Sequence, residues 1–267
     1  MSPDRPIRFS ISIVSHGHGR LIALLLKDLA ATRRHDVEVI LTWNLADEDR
    51  YAVEALGFSL PIVTIVNSTP HGFAENHNSA FQRSSGENFV ILNPDIRLPS
   101  DPFDVLLSIL RAEPNAVCAP LILNPDREPE DSARFFPTPW MLVKKALAKA
   151  CGTKLTLRSV PKKENLLFPD WIAGMFMVVP RGIYRGLGGL SERYFLYYED
   201  VDFCARARLK GIEILVTSDA YAIHDARRES HRDLRFMSWH IKSALRFFTS
   251  QAYLTLKLRS LLGTARS

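Results

Sequence analysis

Apolar residues in the first hundred positions come in short runs separated by amphipathic stretches. Arg8–Ser15 (RFSISIVS) predicts a strand that ends in His16-Gly17-His18-Gly19, and Arg20–Ala31 has helix-forming composition. Val37–Thr42 and Pro61–Val66 predict two further buried strands, and Asn88–Leu92 (NFVIL) a fourth. Strands separated by helices of about ten residues imply βαβ units and a parallel sheet covered on both faces.

The texture changes from Pro99, where prolines are dense through Pro139 and Asn124-Pro125-Asp126 predicts a turn. Residues 151–168 read as an irregular loop. Trp171–Pro180 then predicts an apolar strand, and a helix opens near Glu199 and stops at Gly211. Ile212–Val216 and Tyr221–Ile223 predict two short strands, and the tail beyond His231 is helical in pattern. The expected organisation is one domain over residues 1–225, with a nucleotide-type half (1–98) and an acceptor-type half (99–225), followed by a basic helical extension (226–267). On a helical wheel Met237, Ile241, Ala244, Leu245 and Phe248 share one side of that extension, opposite Arg235, Lys242 and Arg246.

Composition narrows the class. At 267 residues, with 46% hydrophobic and 24% charged residues, the chain has material for a large core, and disordered or collagen-like readings drop out. The longest charge-free stretch, Ala55–Ala74, is broken by Pro61, Asn67, Pro70 and His71, which argues against a membrane span. The N-terminal residues lack the pattern of a signal peptide. Cys118, Cys151 and Cys204 are odd in number and widely spaced, which excludes a disulfide framework or a CxxC metal site and points to the cytoplasm. Net charge is +5, and from Ala226 onward Lys and Arg outnumber the acids Glu229 and Asp233. That asymmetry predicts an anionic partner such as a membrane surface or a phosphate-bearing acceptor.

Four places carry candidate chemistry. Asn93-Pro94-Asp95 follows the NFVIL strand directly, where open parallel sheets bind ligands, and Asp95 suits an Mg²⁺ or Mn²⁺ ion bridging a diphosphate. A turn-capping Asp would look the same. Tyr197-Tyr198-Glu199-Asp200-Val201-Asp202 places three carboxylates at a helix start, as dipole-complementing caps or as a general base behind an aromatic wall. A helix N-terminus is expected to hold such a base ionised. His224 ends a predicted strand and is a ligand candidate only if the fold brings it beside Asp95. Gly72-Phe73 through Asn78 reads as a tight turn into a helix, where a nucleotide could sit.

Taken in order, these segments resemble the family 2 glycosyltransferases, in particular bacterial rhamnosyltransferase-like members. The resemblance spans roughly residues 8–248 and is most specific between Trp171 and His224. It rests on Ser15-His16-Gly17, Gly72-Phe73 with Asn78, LNPD (Leu92–Asp95), WIAGMFM (Trp171–Met177), GGLSERYF (Gly188–Phe195), YYEDVDFCARARLKG and the terminal IHD. It implies a GT-A fold: a Rossmann-like, mostly parallel sheet flanked by helices, with the helical extension at its C-terminal end. It further implies an inverting, metal-dependent transfer from a nucleotide-sugar donor, dTDP- or UDP-linked. The acceptor would be a glycan or a polyprenyl-diphosphate-linked sugar in cell-surface polysaccharide synthesis.

By the same resemblance Asp95 binds metal with His224 as a further ligand, Asp200 is the catalytic base and Glu199 orients the acceptor. Ser15, His16, Gly72, Phe73, Asn78, Asn93 and Asp95 meet the donor, and Trp171, Gly174, Tyr198 and Glu199 meet the acceptor. Asp202 reads as a helix cap. The chain departs from the family in having Ser15-His16-Gly17 after its first strand and Trp43-Asn44 after its second, so Asn44 and Asp47 stand in for the usual base-contacting Asp. With Asn93 in place of the first acid of the metal motif, a single carboxylate meets the metal, and affinity without donor is expected to be weak. Location is expected to be cytoplasmic, with the extension either packed on the domain with a solvated basic face or lying peripherally on the inner face of the plasma membrane.

Two other readings have less support. A sugar nucleotidyltransferase needs a Gly-rich, basic loop after the first strand, which His16-Gly17-His18-Gly19-Arg20 imitates poorly. A non-catalytic sugar- or nucleic-acid-binding module would fit a pI near 9.2. However, the basic residues cluster in the tail, no nucleic-acid-binding signature is visible, and no nucleic-acid partner is expected.

Overall fold

A computed structural model describes residues 6–55, 57, 60–153, 159–225 and 234–262. The first half alternates β1 (Phe9–Ser15), α1 (Gly19–Ala31), β2 (Val37–Trp43), α2 (Tyr51–Glu54), β3 (Ile62–Val66), α3 (Phe73–Arg83) and β4 (Asn88–Leu92). Then follow β5 (Ile96–Arg97), α4 (Phe103–Ala112), β6 (Ala116–Leu123), β7 (Ala133–Arg134), α5 (Pro139–Ala150), β8 (Lys162–Lys163), β9 (Leu166–Leu167), β10 (Trp171–Ile172) and β11 (Phe176–Pro180). The chain continues through α6 (Arg181–Gly186), α7 (Glu199–Leu209), β12 (Glu213–His224), α8 (Leu234–Phe248) and α9 (Gln251–Leu261).

The main sheet runs β3-β2-β1-β4-β11-β6-β12-β9-β8. Its first four strands are mutually parallel, β11 is antiparallel to both β4 and β6, and β12 is parallel to β6. The strands read as unbroken apolar runs because both faces are buried. In β4, Val90 and Leu92 join one core with Ile22 and Leu25 of α1 and Phe103 of α4. Phe89 and Ile91 join the other with Phe81 of α3 and Phe203 of α7.

Several expectations need correction. Residues 151–168 are not irregular throughout, because β8 and β9 pair and extend the sheet. Trp171–Pro180 is not one strand. It breaks at Ala173–Met175, where Ala173 N–H goes to Ser132 O and Met175 O accepts from Asn93 N–H. The two strands expected over 212–223 are one, β12, with a register shift between Thr217 and Tyr221.

The C-terminal helices also pack differently from the wheel. Ala244 and Phe247 of α8 join Ala252 and Tyr253 of α9 against Tyr194, Tyr198, Val201 and Ala205. Met237, Ile241 and Leu245, expected to share one side with Ala244, instead remain exposed. The Arg235 side chain lies outside the described residues. No helix among the described residues is long and apolar enough to cross a membrane.

Candidate active site

The sheet topology brings the expected residues to one end of the strands. β4 ends at Leu92, so Asn93–Asp95 leaves the sheet beside β1. The short strand β5 then pairs antiparallel with β12, setting His224 opposite Ile96. That pairing carries His224 to Asp95, with Nε2 3.2 Å from Asp95 Oδ2 and Nδ1 2.7 Å from Glu130 Oε2. Burial alone would lower the imidazole, but the hydrogen bonds and charges of Asp95 and then Glu130 outweigh it and raise His224 to about 9. Asp95 Oδ1 is buried without a hydrogen-bond partner. No group of three or more His, Cys, Asp or Glu side chains with metal-holding geometry occurs among the described residues.

The interrupted strand joins this corner to the carboxylates of α7. Asn93 N–H donates to Met175 O, and one residue away Gly174 N–H donates to Asp200 Oδ2 at 3.0 Å. A side chain at Gly174 would meet the Phe73 ring at 3.2 Å, tight enough that the ring would have to shift by a few tenths of an ångström. Asp200 Oδ1 accepts from Val201 N–H at 2.7 Å. Tyr197 and Tyr198 precede the helix with φ of 68° and 69°, left-handed conformations that cost an L residue of order 1–3 kcal/mol each. This double reversal turns Glu199 and Asp200 inward.

Burial works against the helix N-terminus that was expected to keep the base ionised. Desolvation, then the charge of Asp200, pushes Glu199 well above the carboxylate range, and its Oε2 is buried without a partner. Desolvation also raises Asp200, but the N–H groups of Gly174 and Val201 and the charge of Arg134 oppose it. Burial thus raises both carboxyls, and Asp200 has more groups opposing the rise. Asp202 does not cap the helix: it pairs with Arg206 Nε at 2.8 Å and faces Tyr194 Oη at 3.4 Å.

At the ends of β1 to β3, an amide network shapes a second corner. Buried Asn44 accepts from Asn67 Nδ2 at 2.8 Å and His71 N–H at 2.9 Å, and its own Nδ2 donates to His71 O and lies 3.3 Å from the His16 ring. Ser15 Oγ donates to Glu48 Oε1, which also accepts from His18 N–H at 2.9 Å. Glu48 Oε2 is buried and unpartnered, whereas Asp47 points outward and is exposed. Glu48 thus takes the inward position expected of Asp47. It lies in an aperiodic loop, where the only signal was its closeness to Asn44.

Two expected donor residues have other work. Gly72 has an ordinary φ of −69°, and its need for glycine comes from Phe195 O, which a Cβ would meet at 2.8 Å. Asn78 spends its amide on Leu190 O, Glu192 Oε1, Leu190 N–H and Tyr184 Oη, so it pins the 188–192 turn and faces no open cleft. Trp171 donates Nε1 to Phe135 O at 3.0 Å and packs against the α7–α8–α9 cluster, as Tyr197 does.

Comparison with known proteins agrees with this architecture. No model of a protein family matches the chain. Rhamnosyltransferase WbbL of Escherichia coli is 25% identical over 255 residues, covering 92% of this chain and 94% of the relative. The N-acetylglucosaminyl-diphospho-decaprenol L-rhamnosyltransferase of Mycobacterium tuberculosis is 25% identical over 257 residues, 89% of this chain and 83% of the relative. Among solved structures, GalNAc-T7 with UDP, GalNAc and Mn²⁺ superposes with a TM-score of 0.67 at 14% identity. That match covers 92% of this chain, which spans only 48% of the solved one. The chain is a glycosyltransferase of GT-A fold, similar over most of its length to bacterial rhamnosyltransferases.

Proposed function

We propose that this chain transfers a sugar, with inversion, from a dTDP- or UDP-linked donor to a glycan or polyprenyl-diphosphate-linked acceptor in cell-surface polysaccharide synthesis. Rhamnose is the sugar favoured by the relatives' names. The observation that carries the reading is the Ala173–Met175 break, which ties Asn93 next to Asp95 on one side and Asp200 on the other. A donor-side acid and a base are thereby fixed to the same three residues.

The donor corner fits a divalent cation. Asp95 Oδ1, a hard oxygen donor without a partner, is the atom such an ion would satisfy, and Asp95 would hold it with His224, whose imidazole would first have to give up the proton that Asp95 and Glu130 favour. Mg²⁺ or Mn²⁺ bound there supplies charge neutralisation for the donor diphosphate. With so few protein ligands, the remaining coordination falls to the donor's own oxygens. Ser15, His16 and Asn44 line the nucleoside end, and Glu48 Oε2 is a ready acceptor for a base N–H.

On the acceptor side, Asp200 takes the proton of the attacking hydroxyl. Gly174 and Val201 occupy one lone pair on each of its oxygens and leave the others for that proton. Glu199, whose neutral form burial favours, orients the acceptor. Trp171 and Tyr198 wall the site. The leaving diphosphate departs on the face opposite attack, so the product has inverted anomeric configuration.

The surface supports peripheral attachment to the inner face of the plasma membrane. Trp140, Val143 and Leu147 of α5, Met237, Ile241 and Leu245 of α8, and Leu254, Leu258 and Leu261 of α9 are exposed. Lys144, Lys242, Arg246 and Lys257 lie among them. The deciding experiment is a thermal-shift screen of nucleotide sugars with Mn²⁺, paired with anomer-resolved product analysis. Absence of any nucleotide-sugar shift, or a retained product configuration, would overturn the reading.

A further inference from the structure

The acceptor side carries a cluster of cations that no role above uses. The β7–β10 register sets Arg134 opposite Trp171, and its guanidinium lies 5.5 Å from the centre of the indole. Arg134 Nε is buried and sits 2.6 Å from Asp131 Oδ1, yet the two are not aligned for a hydrogen bond. Lys145 of α5, one turn from Leu142, and His240 of α8 border the aromatic cluster that Trp171 joins. The His240 ring is 5.3 Å from Tyr197 and 5.4 Å from Tyr198. Leu142, three residues before Lys145, packs against the same apolar cluster as Trp171 and Tyr197.

These cations destabilise one another. Burial and then Arg134 lower Lys145, against a partial offset from Asp131. Burial, then Lys145 and Arg134, lower His240. Arg134 also acts on Asp200, so the cluster adjoins the proposed base. Bringing like charges together from three separate elements, partly out of water, costs free energy that an incoming anion would return. The planar fork of Arg134 matches phosphate oxygens, and Lys145 adds a point charge.

We infer that Arg134, Lys145 and His240 form an anion site that takes the acceptor's diphosphate, against a wall of Trp171, Tyr197 and Tyr198. The inference rests on the proposed reaction for its acceptor class and goes beyond it in assigning the group that holds the acceptor. A diphosphate is also part of the donor, so the test must separate two sources of one chemistry.

The full-length protein is titrated with inorganic pyrophosphate in EDTA, which leaves the Asp95 corner without a cation, while the His240 imidazole is followed by NMR. The groups facing His240 are Lys145 on α5 and Arg134 of β7, itself paired with Asp131, with the Tyr197 and Tyr198 rings ahead of α7. The His240 pKa should rise as pyrophosphate binds. Arg134→Gln and Lys145→Gln should each weaken binding roughly tenfold or more, the scale of one lost charge-assisted contact. Asp95→Ala should leave it unchanged. Binding that survives both Gln variants but is lost in Asp95→Ala would place the anion in the donor corner and overturn the proposal.

In turnover, Arg134→Gln should raise KM about tenfold for an alkyl-diphosphate-linked sugar and leave KM unchanged for the same alkyl glycoside without phosphate. Equal effects on both acceptors would also overturn it. Lys145, half-exposed on a helix, supplies a variant that retains the fold should Arg134→Gln lose its thermal transition. Failure of the enzymatic reading shows elsewhere, as absent nucleotide-sugar binding in the unaltered chain, and leaves the pyrophosphate titration intact.

Discussion

Asp200→Asn separates the charge of the proposed base from its shape. Both carboxylate oxygens accept from backbone N–H groups, at 3.0 Å from Gly174 and 2.7 Å from Val201. An amide offers one oxygen and one NH₂, so either orientation sets a donor against a donor. That mismatch costs on the order of 1–3 kcal/mol, offset in part because a charge is no longer buried. For a chain of this size 1 kcal/mol moves Tm by about 2–4 °C, so the variant should melt lower by up to roughly 10 °C. Its kcat should fall at least about a hundredfold, with donor binding nearly unchanged, because the lost interaction belongs to proton transfer.

Glu199→Gln is the matched control. Glu199 is raised well above the ordinary 4.5 by burial and then by Asp200, so its site favours the neutral form that the amide mimics. Its kcat should stay within about tenfold of the unaltered enzyme. The linkage has a definite sign. A carboxyl whose folded pKa is raised contributes stability fully present below its unfolded value, and this is lost as pH rises through the folded value. Relative to the unaltered chain, Glu199→Gln should therefore gain Tm as pH climbs from about 4.5 upward. Melting curves across pH and steady-state kinetics with a quantified product read both effects. A larger kcat loss in Glu199→Gln than in Asp200→Asn, or a Tm difference flat with pH, would refute the division of roles.

Asp95→Ala should abolish the Mn²⁺-dependent part of the nucleotide-sugar thermal shift, and His224→Ala should reduce it less; an unchanged Mn²⁺ dependence in Asp95→Ala removes the cation from that corner. Glu48→Gln should weaken nucleotide binding about tenfold while Asp47→Ala leaves it alone, measured by calorimetry, with the reverse order restoring the exposed acid to the role. Replacing Met237, Ile241 and Leu245 together by Ser should release the protein from anionic vesicles in sedimentation, since each buried apolar side chain contributes about 1.5–3 kcal/mol. Unchanged vesicle binding in that triple variant assigns the α8 stripe to something other than lipid.

The parts legible in the sequence are those where one physical signal acts alone. Val90 and Leu92 face one core and Phe89 and Ile91 the other, so β4 reads as an unbroken apolar run ending at the very residues expected to meet the donor. β6 escaped because Pro120 interrupts it, and proline removes a ladder donor. In the fold Pro120 pairs with Thr217, where β12 shifts register and absorbs the missing bond. The break inside Trp171–Pro180 has Gly174 as its one local signal, which its apolar, strand-forming neighbours outweigh. It forms because Ser132 and Asn93, remote in sequence, take its backbone groups. The same limit explains the acceptor cations: Arg134, Lys145 and His240 share no period, and only the packing of α5, β10 and α8 around Trp171 and Tyr197 makes them neighbours. Motif and periodicity therefore locate groups that a strand or helix start presents directly, such as Asp95 and Asp200. Groups that recognise the variable end of a substrate are assembled across elements, where loops and helices differ between enzymes that share a sheet. On that argument the acceptor's identity is written in the contacts between α5, β7 and α8, and exchanging those segments between related chains should change acceptor preference without changing the donor.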